Sequence, residues 1–150
     1  MRAPPVRARR AWGFEWRSAT EVLGIPLVHV AVGRDPRTGR LRVARGIIAV
    51  GQFAIGIVTV AQFGIGLLFG IGQCVLGFTA VGQVALGAYF GAGQVATGMT
   101  AIGQIAFGYY VLAQVGVGVH VWSPTVKDPL AIQHFHDLWE TVRRAAGHGG

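Results

Sequence analysis

Residues 51–71 read GQFAI GIVTV AQFGI GLLFGI, and residues 72–92 repeat the plan as GQCVL GFTAV GQVAL GAYFGA. A third round, GQVAT GMTAI GQIAF GYYVL, fills 93–112, and a partial one, AQVGV GVHVW, follows from 113. Glycine returns about every five residues and glutamine about every ten. The first two rounds each close on a six-residue unit, so the period is 21 residues with a half-period near ten. Self-similarity of this kind marks a repeat architecture, in which each unit buries its apolar side only against its neighbours.

No Asp, Glu, Lys or Arg occurs between Arg45 and Lys127, a length that could supply three membrane helices of ~20 residues. The glycines argue for strands instead. Seventeen of the 73 residues from 46 to 118 are Gly, and each costs a helix interior ~1 kcal/mol relative to Ala. Five-residue spacing also fails to hold one face of a 3.6-residue helix. The intervening Val, Ile, Phe, Tyr and Thr suit strands. The expected fold is all-β, a single-stranded β-solenoid of about 21 residues per coil built from four five-residue units. Glycine would serve where positive φ or close backbone approach is required.

Within a unit, the large aliphatic at the last position (Ile55, Val60, Ile65, Ile71, Leu76, Leu86) is expected to point inward, beside small residues such as Ala54 and Ala85. Gln52, Gln73, Gln94 and Gln114 should form one ladder, and Gln62, Gln83 and Gln104 a second, half a coil away. Stacked amides can bond to one another because each carries donor and acceptor.

Four five-residue units per coil resemble the pentapeptide-repeat proteins, whose fold is a right-handed quadrilateral β-helix. The likeness covers about 46–120. Gly stands where that family commonly has Ala, and the outward positions lack its Asp, Asn, Ser and Arg. The chain is also similar to bacterial proteins with runs of hydrophobic GxAIG-type units. This resemblance implies a fold and carries no activity with it.

The net charge of +7 lies wholly before the repeat, where residues 1–45 hold ten Arg against Glu15, Glu21 and Asp35. The division expected is a basic arm over 1–20, a hairpin cap over 21–45, the hydrophobic β-solenoid over 46–122 and a helical cap over 128–146. Strand-like segments at 22–32 and 41–50, joined by the turn-rich Gly33–Arg40, suggest the hairpin. Trp12, Phe14 and Trp16 belong either to a strand covering the edge of the repeat or to a lipid-interface anchor. The arm lacks the 7–15-residue apolar core of a secretory signal. Asp128-Pro129 is a helix start, and Ile132, Phe135, Leu138, Trp139 and Val142 share one helical face.

Chemistry is represented mainly by absences: no GxSxG, GxxxxGK[ST], HExxH or CxxC occurs, and serine appears only at 18 and 123. The lone cysteine, Cys74, forms no internal disulfide. His120, His134, His136 and Asp137 form the one polar constellation. Residues two apart on a helix point to nearly opposite sides, so His134 and His136 are not expected to share a metal. No enzyme activity, cofactor, metal or small-molecule substrate is expected, and nucleic acid is not the expected partner. The outward positions Ile57, Leu67, Phe78, Met99 and Tyr109 remain apolar and require cover. The first expectation is a structural protein on the cytoplasmic side of an anionic membrane, met by that face and by Arg7, Arg9, Arg10, Trp12 and Trp16. A self-assembling homo-oligomeric scaffold is the second, and a small multi-pass helical membrane protein the third.

Overall fold

The computed structural model describes residues 12–147, so the expected contribution of Arg7, Arg9 and Arg10 lies outside the described residues. The chain is mainly β. Strand β1 (Gly13–Arg17), the short β2 (Glu21–Val22) and β3 (Ile25–Pro26), and β4 (Val28–Gly33) precede one continuous extended run, β5 (Val43–Trp122). Helix α1 (Pro129–Gly147) follows. Residues 46–118, which three membrane helices would have required, lie wholly inside β5, and the helical alternative is overturned. Among the described residues no helix is long and apolar enough to cross a membrane.

The expected hairpin between 22–32 and 41–50 is also corrected. β4 pairs with β5 in parallel, Val28 opposite Ile48 and Ala31 opposite Gly51. Only an isolated antiparallel bridge, Arg34 with Leu41, ties the two ends of the intervening loop. That loop returns the chain to its starting side before β5 begins, so both segments run the same way. The hairpin that does form is β2–β3, where Leu23 and Gly24 both take positive φ (54° and 75°). Two successive positive-φ residues give the turn whose twist matches paired strands. β1 runs antiparallel to β4 and covers its outer edge, Glu15 opposite Ala31 and Arg17 opposite His29. This occupies an edge that would otherwise present unpaired backbone groups.

Contacts within β5 recur at ten or eleven residues. A side-chain carbon at Gly56 would collide with the carbonyl oxygen of Gly46, at Gly72 with that of Ala61, at Gly82 with that of Gly72, and at Gly93 with that of Gly82. Gly108 and Gly118 repeat the pattern against Gly98 and Gly108. Ring pairs obey the same spacing: Phe53 stacks on Phe63 and Phe78 on Tyr89, each pair with centroids 5.3 Å apart. The 21-residue period therefore does not bring Gln52 directly beside Gln73. It arises because one stretch of ten residues alternates with one of eleven. The extra residue belongs to the six-residue units, where the Phe69 carbonyl folds onto Gly66 and the Phe90 carbonyl onto Gly87. These glycines are needed for close backbone approach, since no bulkier residue fits against a carbonyl.

The core lies one position away from where the sequence suggests. Ala44, Ala49, Ala54, Ala80, Ala85, Ala96, Ala101 and Ala106 are buried, while Ile55, Val60, Ile65, Leu76 and Leu86 are exposed. A ten-residue stretch leaves room for small inward groups only. Ala31, Ala44, Ala49, Ala54 and Ala61 meet in one cluster. Larger inward groups are matched by glycine: Thr59 and Val75 face Gly64 and Gly70, and Val111 faces Gly116. Each buried methyl contributes only ~0.8 kcal/mol, so the stack has little apolar burial to spare.

Candidate interaction surface

Because strands alternate, an inward residue at 54 turns its neighbours 53 and 55 outward. Applied along β5, this gives two outward faces. One carries Ile48, Val50, Val58, Val60, Thr100, Ile102, Tyr110, Leu112 and Trp122. The other carries Phe53, Ile55, Phe63, Ile65, Leu76, Leu86, Ile105, Phe107, Val115 and Val117.

α1 covers the C-terminal half of the first face. Asp128 starts the helix, its carboxylate accepting the Leu130 amide at 2.8 Å. The same carboxylate lies 3.0 Å from His120 Nδ1, fastening the helix to the last stretch of β5. The His120 bond holds the Asp128 carboxyl below its ordinary range. His134 stacks on Tyr110 with centroids 4.0 Å apart, and its Nε2 lies 2.9 Å from Thr100 Oγ1. Burial pushes the His134 imidazole down, against a smaller opposing pull from Asp137. His136 stacks instead on Trp122. An apolar cavity of about 470 Å³ remains under the helix between Phe90, Ile102, Leu112, Trp139 and Val142.

The second face has no cover among the described residues. Phe63, Ile65, Leu76, Ile105, Phe107, Val115 and Val117 are all exposed, and so are Ile57, Leu67, Phe78, Met99 and Tyr109 along the adjoining edge. Leu67 is 69% exposed. Trp12, Phe14 and Trp16 are exposed near the N-terminal end. The residues of this open face were missed at the sequence level because large aliphatics were assigned inward and alanines beside them.

The glutamines fall on one line. Gln52, Gln62 and Gln73 border a single groove, and Gln94, Gln104 and Gln114 border another formed by the same glycine column. The two expected ladders are therefore one column, to which Gln83 also belongs because its preceding Gly82 sits between Gly72 and Gly93. No bond between these amides and another side chain occurs among the described residues. The column is an exposed polar stripe along the border of the open face.

A charged cluster occupies the N-terminal end. His29, 2% exposed, has its Nδ1 2.8 Å from the Arg45 amide and its Nε2 3.2 Å from Glu15 Oε1. The tautomer satisfying both accepts from Arg45 N–H at Nδ1 and donates from Nε2 to Glu15. Glu15 also accepts from Arg17 at 2.7 Å and from Arg42. The Arg17 bond, helped by His29 and Arg42, lowers the Glu15 carboxyl against the opposing effect of burial. Antiparallel pairing of β1 with β4 assembles this cluster from residues far apart in the chain. Its only sequence signal was the excess of arginine.

Among the described residues no group of three His, Cys, Asp or Glu side chains is placed to hold a metal ion. No family model matches this chain, and neither a curated protein nor a solved structure is similar to it.

Proposed function

We propose that β5 winds as a flattened β-solenoid of ten to eleven residues per coil, two five-residue units each, and that the protein is a non-enzymatic structural protein lying on an anionic membrane with its open face in the lipid. The winding is supported by backbone approach at ten- and eleven-residue steps and by the inward alanine cluster. It departs from the four-sided pentapeptide plan in using two units per coil.

The observation that carries the membrane reading is the uncovered apolar face, unbroken by charge from Arg45 to the end of β5. Its seven glycine-column steps, from Gly46 to Gly118, extend ~34 Å at ~4.8 Å per step. Contiguous apolar patches beyond a few hundred Å² mark interaction surfaces. Extended backbone bonded to its own neighbours meets the requirement that polar backbone be satisfied in lipid. Length alone would permit a crossing of ~30 Å of hydrocarbon. However, Asp137, Glu140, Arg143 and Arg144 on α1 lie alongside the C-terminal half and would be drawn into the bilayer. An orientation with the long axis parallel to the membrane keeps α1 and the glutamine stripe at or above the headgroups. Trp12, Phe14 and Trp16 then sit at interfacial depth, where aromatic residues are favoured.

Flotation with lipid vesicles tests this reading. The protein is expected to rise with anionic vesicles and to lose at least tenfold in binding when Ile65 and Leu86 are both changed to Lys, with its melting temperature nearly unchanged. A well-defined soluble oligomer that ignores vesicles, and that the same double variant dissociates, would instead establish the scaffold reading.

A further inference from the structure

The open face does not end at Ile55. One ten-residue step earlier, Val43 and Arg45 flank the inward Ala44 as Phe53 and Ile55 flank Ala54, so the apolar column runs directly into Arg45. There it meets a cleft of about 540 Å³ whose walls are Ile25, Pro26, Leu41 and Val43 and whose polar groups come from Arg17, His29 and Arg45. The cleft combines a cationic floor with apolar walls, and it opens at the end of the surface assigned to lipid.

The charges in it are unequal. Glu15 is already engaged by Arg17, Arg42 and His29 and balances one positive charge. The Arg45 guanidinium has no hydrogen-bond or ion-pair partner among the described residues, although its backbone amide donates to His29 Nδ1. Arg17 has spare donors beyond those facing Glu15. Two guanidinium groups with unused donors suit a phosphate, which accepts paired N–H bonds in a fork. His29 holds the Arg45 backbone, fixing where that side chain leaves the sheet.

We infer that the cleft between Arg17 and Arg45 binds the phosphate of an anionic phospholipid headgroup, with the acyl chains lying along the column Ile55, Ile65 and Leu76. This rests on the membrane reading and deepens it by naming the lipid group recognised and the end of the protein that recognises it. A free phosphate shares the headgroup chemistry. The continuous apolar column beside the cleft favours the lipid, because a free anion has no use for it.

The experiment compares full-length protein with two single variants, Arg45→Gln and Arg40→Gln. Both remove one positive charge; Arg40 lies in the exposed loop before β5 and does not line the cleft. Flotation uses vesicles of phosphatidylcholine alone and with one-fifth phosphatidic acid. Arg45→Gln is expected to weaken binding to the anionic vesicles at least tenfold, Arg40→Gln less than twofold, and neither to change binding to phosphatidylcholine. Equal losses in both variants, or no loss in Arg45→Gln while wild type still floats, would overturn the headgroup site and leave the membrane reading intact. Failure of wild type to float with either vesicle overturns the membrane reading itself. Calorimetry with inorganic phosphate supplies the remaining arm: binding abolished by Arg45→Gln with flotation unchanged would assign the cleft to a free anion and overturn the lipid source.

Discussion

The two outward faces of β5 are built from one repeat, and only one of them is covered, over its C-terminal half. Both project Val, Ile, Leu and aromatic residues around inward alanines. On one, α1 buries Thr100 and closes over Tyr110, Leu112 and Trp122; on the other, Phe63, Ile65, Phe107 and Val117 stay exposed. Cover therefore depends on the chain that follows the repeat rather than on the repeat. Ser123 and Val126 turn the chain back, and Asp128, held by His120, starts the helix over the side where β5 ended.

The largest expected effect lies on the covered face. Phe135 is buried against Trp122, so Phe135→Ala should cost ~3 kcal/mol or more in chemical denaturation. Ile65→Ala on the open face should cost under ~1 kcal/mol, because little burial is lost there. Equal costs would mean that the open face is buried against something in solution, and the contrast between the faces would disappear.

Next comes a change that both faces should feel. Gly82→Val places a branched side chain against the Gly72 carbonyl and should destabilise by more than ~2 kcal/mol through overpacking. An unchanged melting temperature would count against ten-residue stacking as the common frame. In the opposite direction, Thr59 Oγ1 is buried with no hydrogen-bond partner among the described residues. Thr59→Val keeps the shape, removes the unsatisfied hydroxyl and should stabilise by ~1 kcal/mol, read as a higher melting temperature.

The smallest effect separates the faces by pH. Burial lowers the His134 imidazole in the folded protein, so the unfolded chain takes up the proton first as pH falls. Stability from this group is complete above its ordinary value near 6.5 and declines as pH falls from there through the lowered folded value. Amide exchange in α1 should accelerate over that window, and His134→Gln should abolish the pH dependence. Amides of Phe53–Leu86 should show no such response.

Much of this was legible in the residues. Glycine spacing and the Val, Ile, Phe and Tyr between the glycines pointed to strand over 46–118, and Asp128-Pro129 with its 3/4 apolar spacing pointed to the helix. The 21-residue period did not reveal the spacing of neighbouring stretches, because the six-residue units recur every 21 residues while backbone contacts recur every ten or eleven. The inward set was misread for a related reason. Large aliphatics ordinarily fill cores, but here Ile55, Ile65 and Leu76 stay exposed and the alanines next door are buried. The Glu15–His29–Arg45 cluster left no sequence pattern because strand pairing brings its members together.

By itself the sequence determined that this chain is β-rich, periodic, uncharged through its middle and basic before it, since composition and local propensity need no partner. The tertiary structure alone decided which residue of each unit is buried, which outward face is covered and where the arginines gather. Those depend on how closely successive stretches approach, and that distance is set by glycines meeting carbonyls ten residues away.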